Sequence, residues 1–125
     1  MIARRRHWRE RYRALAASLA GVSVLGGHDD AADNCWVTAL VVDQERAGWS
    51  AAGLGRALAA SGIESRPVWK PMHQQPVFSS FHGTLNGSSD HLFVDGITLP
   101  SGSGMSVADL ERIERAILEF GHAGS

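Results

Sequence analysis

The chain has 125 residues, 44% of them hydrophobic and 20% charged, which is enough for one modest core and too little for a two-domain enzyme. Twelve Lys and Arg against thirteen Asp and Glu leave a formal charge of -1, so the usual electrostatic argument for nucleic acid or an anionic membrane is missing. Cys35 is the single cysteine, which excludes an internal disulfide framework and a CxxC redox or zinc site and makes a cytoplasmic setting the expectation.

Trp8, Tyr12, Leu15 and Leu19 recur at helical steps and predict a helix over Ile2 to Ala20, with arginines mostly on its other faces. Arginines crowd Arg4 to Arg13, but the stretch that follows is short and Ala-rich, unlike the apolar region of a secretory signal, and no run approaches a membrane span. Gly26 to Asn34 reads as a surface loop. Cys35 to Asp43 is apolar and β-branched and predicts a strand buried on both faces. A second helix is expected from Trp49 to Ser61, with Ser50 as its cap and Gly62 taking the left-handed position at its end. Pro67 and Pro71 make Ile63 to Trp69 extended. Lys70 to Asp90 reads as a long loop, and His91 to Pro100 as a strand with a bulge at Gly96. Ser106 and Asp109 form an acidic capping box ahead of a helix marked by Val107, Leu110, Ile113, Ile117 and Phe120, expected to end at Gly121. The order predicts an α+β fold, a small, mostly antiparallel sheet packed against about three helices.

The densest chemistry lies in "RPVWKPMHQQP", where Arg66, Lys70 and His73 share a segment stiffened by Pro67, Pro71 and Pro76. Such a segment loses little entropy on binding, and these side chains suit phosphate, carboxylate or sugar hydroxyls. An extended edge with solvated charges and a packed Trp69 explains the same pattern. His73, His82, Asp90, His91 and Cys35 are competent metal ligands, but their spacing is not that of a metal site, and Asp90 and His91 would point to opposite faces of a strand. His28 with Asp29 and Asp30 reads as solvated loop. Ser101 to Gly104 precede a helix N-terminus able to receive an anion, although an ordinary strand-to-helix turn fits better and no Walker ending follows.

"GIESRPVWKPMHQQPVF" followed by "LFVDGITLPSGSGMSVADLERI" resembles the C-terminal small domain of the DegT/StrS-type pyridoxal-phosphate sugar aminotransferases. "RRRHWRERYRALAA" resembles the helix leading from their large domain and "NCWVTALVVD" their first small-domain strand, so the likeness covers nearly the whole chain. The resemblance implies one small domain over residues 1–125, with a leading helix at 1–20 and the sheet and helices at 35–120, folded like the small domain of fold-type I aminotransferases. It makes Arg66, Trp69, Lys70 and His73 a wall facing a nucleotide-sugar, with Arg66 and Lys70 meeting anionic groups and His73 hydrogen-bonding or moving a proton. Ser101 and Ser103 would shape the turn before the last helix, whereas His82, Asp90 and His91 inherit no role.

In that family the Schiff-base lysine belongs to the large domain. Lys70, the single lysine, matches the small-domain motif instead. The expectation is therefore a truncated, aminotransferase-like domain of sugar biosynthesis in secondary metabolism, not a self-sufficient transaminase. It binds no cofactor alone, and pyridoxal phosphate enters only with a separate large domain. Its expected partners are such a polypeptide, a second copy in a homodimer joined through Trp8 and Tyr12, and a nucleotide-sugar or other anionic small molecule. The alternatives are a free-standing domain with a cofactor-independent reaction, using His73 as acid or base, and a non-catalytic fragment that binds a partner.

Overall fold

A computed structural model describes residues 1–26, 32–78 and 87–123. The order is α1 (Ile2–Ala17), β1 (Val22–Val24), β2 (Thr38–Val42), α2 (Gln44–Ala47), α3 (Ala51–Ala60), β3 (Arg66–Pro67), α4 (Ser88–Asp95), β4 (Gly96–Leu99) and α5 (Val107–Ala123). Two 3-10 turns, Met72–Gln74 and Pro76–Phe78, follow β3. The four strands form one antiparallel sheet in the order β1-β2-β4-β3, so the α+β expectation holds.

The apolar pattern of β2 buries four of its five residues and makes it a central strand. Leu40 and Val42, with Ile97 and Leu99 of β4, meet Trp8, Tyr12 and Leu15 of α1, Leu54 and Leu58 of α3, and Leu110, Ile113 and Ile117 of α5 in one core. Pro67 sits in the two-residue edge strand β3, where its missing N–H costs no central ladder bond. As expected, the Ser50 hydroxyl accepts the Gly53 N–H at 3.0 Å, and Gly62 follows α3 at φ 72°.

Several expectations are overturned. The span read as one strand, His91 to Pro100, is divided: α4 occupies its first half and becomes β4 at Gly96 without a bulge. His91 Nδ1 pairs with Asp95 Oδ2 at 2.8 Å across one helical turn, a spacing that β-branched composition concealed. The supposed loop at 70–90 contains both 3-10 turns and the start of α4. Gly121 lies within α5, where a Cβ would stand 3.0 Å from Leu19 Cδ2, so its role is close packing and not termination. Trp8 and Tyr12, offered as a dimer surface, are 2% and 0% exposed. The exposed large side chains instead include Trp36, Trp69, Met72 and Val77. The short β1 and α2 add to the elements that the sequence pattern marks.

Candidate functional site

A cleft of about 470 Å³ lies beside β3, lined by Trp36, Val37, the run from Arg66 to Lys70, Phe93 and Thr98. Three of the four expected wall residues, Arg66, Trp69 and Lys70, therefore come together. His73 is not among the lining residues.

One wall is the edge strand and the proline-stiffened residues after it. The Thr98 hydroxyl donates to the Arg66 carbonyl at 3.0 Å, tying that wall to β4. The Arg66 guanidinium donates to Glu64 Oε1 from Nε at 3.0 Å and Nη2 at 2.7 Å, with both side chains about three-quarters exposed. Such a solvated pair is worth about 0–1 kcal/mol, so an incoming anion can displace the carboxylate. Lys70 is exposed, and its ammonium has no ion-pair partner among the described residues.

The other wall carries Trp36, which sequence reasoning absorbed into a strand. Trp36 and Trp69 are 62% and 67% exposed, with ring centroids 6.2 Å apart and planes tilted by 34°. The clue was the preceding Asp-Asn pair, because short polar side chains turn the backbone locally. Asp33 Oδ1 accepts the Cys35 N–H at 2.8 Å and Asn34 Oδ1 accepts the Trp36 N–H at 2.9 Å. Cys35 is fully buried at φ 51°, a left-handed conformation unusual outside glycine.

Arg9, 5% exposed on α1, fixes this turn. It donates to Asp33 Oδ2 at 2.7 Å and to the Val37 carbonyl at 2.8 Å. The Ser101 hydroxyl donates to the Trp36 carbonyl at 3.3 Å. The Arg9 hydrogen bond, followed by the Cys35 N–H, holds the Asp33 carboxyl below its ordinary value. A carboxylate depressed on folding stabilises the fold at neutral pH and loses that contribution as pH falls through its folded value. Asp33→Asn is thus expected to weaken stability at pH 7 and to flatten its fall below about pH 4, read from urea midpoints across pH. An unchanged acid limb would remove Asp33 from that role.

His73 Nε2 lies 2.7 Å from Asp90 Oδ1 in the first turn of α4, and the Gln74 amide donates to the same oxygen. Asp90 and His91 share a helix, which replaces the opposite-face arrangement expected of a strand. Of the other ligand types, Cys35 is buried beside Asp33, while His28, Asp29, Asp30 and His82 lie outside the described residues. No group of three or more His, Cys, Asp or Glu suited to a metal occurs among the described residues.

The turn before α5 is held by a row of donors on α1. Arg4 Nη2 donates to the Met105 carbonyl at 2.7 Å, Trp8 Nε1 to Gly102 at 3.1 Å and the Tyr12 hydroxyl to Pro100 at 2.6 Å. Their spacing of four puts all three on one helical face. Burial, aided by the Glu114 carboxylate, pushes the Tyr12 phenol well above its ordinary value and keeps it protonated as a donor. At the head of α5 the expected box forms: Asp109 Oδ2 accepts the Ser106 N–H at 2.8 Å, and Ser106 Oγ accepts the Asp109 N–H at 3.1 Å. The Ser106 N–H, followed by the Ser106 hydroxyl that donates to the same Oδ2 at 2.7 Å, lowers the Asp109 carboxyl. The helix start thus already holds its own carboxylate where an external anion was considered.

The model of the DegT/DnrJ/EryC1/StrS aminotransferase family matches residues 1–118. EpsN of Bacillus subtilis (strain 168), named as a candidate pyridoxal phosphate-dependent aminotransferase, is 34% identical over 116 residues, covering 90% of this chain and 29% of EpsN. The aminotransferase TlmJ from Streptoalloteichus hindustanus superposes at TM-score 0.82 with 18% identity, over 98% of this chain and 32% of TlmJ. DesI, solved in the presence of its TDP-sugar product, superposes at 0.81 with 23% identity, over 98% and 32%. The chain thus spans about 30% of the length of these relatives. No helix among the described residues is long and apolar enough to cross a membrane. With a family match across nearly its whole length, the chain belongs to the DegT/DnrJ/EryC1/StrS aminotransferases.

Proposed function

We propose that residues 1–125 form one folding unit that supplies a substrate-facing wall to a nucleotide-sugar aminotransferase. The observation carrying this reading is the cleft in which Arg66 and Lys70 flank the exposed Trp36–Trp69 pair. Cations suit a diphosphate, and indole faces suit a sugar ring or a base. DesI, of the same fold, has a TDP-sugar product.

Pyridoxal phosphate does not fit the residues here. A Schiff-base lysine is activated by desolvation or by a nearby cation. Lys70 is exposed at the cleft, so its ammonium lacks that desolvation. We therefore assign the cofactor lysine to sequence beyond these residues, on a separate polypeptide or a longer chain, and give this domain no cofactor chemistry. Exposed apolar side chains outside the cleft, Met72 and Val77 among them, are available to a large-domain partner or a second copy.

The test is a titration with a TDP-sugar followed by tryptophan fluorescence, run with and without pyridoxal phosphate. Arg66→Ala and Lys70→Ala should each weaken binding about three- to tenfold, the scale of one exposed charge-assisted contact. Added cofactor should give no Lys70-dependent aldimine absorbance. Unchanged binding in both variants would overturn the substrate-wall reading, and a lysine-dependent aldimine band would overturn the assignment of the cofactor elsewhere.

A further inference from the structure

The chemistry a neutral histidine offers depends on which ring nitrogen holds the proton, and His73 has a neighbour that decides it. Asp90 Oδ1 stands 2.7 Å from Nε2 and also accepts the Gln74 amide. An ionised carboxylate only accepts, so Nε2 is the donor. The lone pair of the neutral ring is then on Nδ1, which has no hydrogen-bond partner among the described residues, on a side chain 26% exposed.

The ring is held from two elements. His73 lies on the 3-10 turn Met72–Gln74, closed by the Gln74 N–H on the Pro71 carbonyl at 3.0 Å, and Asp90 lies on α4 seventeen residues later. We propose that Asp90 is a positioning residue for His73: it fixes the Nε2–H tautomer and makes Nδ1 the acceptor offered to a ligand that brings its own proton, a hydroxyl or a protonated amine. Asp90 also enriches the ring electronically, since a hydrogen bond to a carboxylate is stronger than one to a neutral acceptor. His73 lies outside the cleft lining, so this inference goes beyond the substrate-wall reading, and the tests below involve no substrate and stand or fall apart from it.

The first measurement is a long-range ¹H–¹⁵N spectrum of the ¹⁵N-histidine-labelled chain at pH 8.5. It should show His73 Nδ1 unprotonated; a protonated Nδ1 would overturn the proposal without any variant. The second is the rate of carbethoxylation of His73 by diethylpyrocarbonate, resolved by peptide mass spectrometry, with the exposed His7 on α1 as internal reference. Asp90→Asn should slow His73 about two- to fivefold, the range of a partly exposed charged contact, and Asp90→Glu should restore it. A mere tether predicts the reverse, because releasing the ring would expose it and speed the reaction. An unchanged or faster rate in Asp90→Asn, with helical circular dichroism intact, would overturn the positioning role.

Discussion

Trp8→Ala is expected to cost about 3–5 kcal/mol, a large part of the stability of a domain this size, and to leave the chain largely unfolded at 37 °C. Trp8 is 2% exposed in the core shared by the sheet, α3 and α5, and its indole N–H satisfies the Gly102 carbonyl. Truncation removes apolar area, opens a cavity and orphans that carbonyl at once. Tyr12→Phe, which keeps the packing and loses only the hydroxyl donor to Pro100, should cost about 1–2 kcal/mol. Urea unfolding of both variants separates the contributions. A Trp8→Ala loss below about 1 kcal/mol would mean that α1 is not bound to the core in this way.

Gly96→Ala should be nearly as severe. A Cβ there would stand 2.4 Å from the Leu92 carbonyl oxygen and 2.5 Å from Val68 Cγ2, so either α4 or the segment after β3 must move. Overpacking of this kind costs about 1–3 kcal/mol, and more where backbone is the obstacle. Because Val68 belongs to the cleft wall, ligand binding should fall by more than the loss of folded protein explains. Gly102→Ala is the control, since nothing lies within 4 Å of its added Cβ. Equal melting temperatures for the two variants would show that the crowding at Gly96 is relieved without cost.

The parts of the fold legible in the sequence are those where one period runs long enough to exclude another. Leu110, Ile113 and Ile117 mark α5, Trp8, Tyr12 and Leu15 mark α1, and all six are buried. Four residues of β4 and eight of α4 are too short for periodicity to tell a strand from a helix, so the pattern carries no sign of the switch at Gly96. The site divided in the same way. Arg66 and Lys70 stand out locally in one proline-stiffened segment and Trp69 joins them only through the family resemblance, whereas Trp36 reaches the cleft through bonds from Arg9 and Ser101, residues distant in sequence. Nothing local marks Asp90 as the partner of His73, because the two are seventeen residues apart and both fall in a stretch whose composition reads as a loop.

The row of donors on α1 has a kinetic consequence. Arg4, Trp8 and Tyr12 bond to carbonyls 101, 94 and 88 positions away, so α1 and the turn before α5 close a loop of that length. Contacts of such separation carry the largest loop-closure entropy and form late. During synthesis α1 precedes Pro100 to Met105 and must wait for them before its buried face is covered. Until then Trp8 and Tyr12 stay in water, which makes the exposed helix the point at which a chaperone or a second nascent chain can intervene.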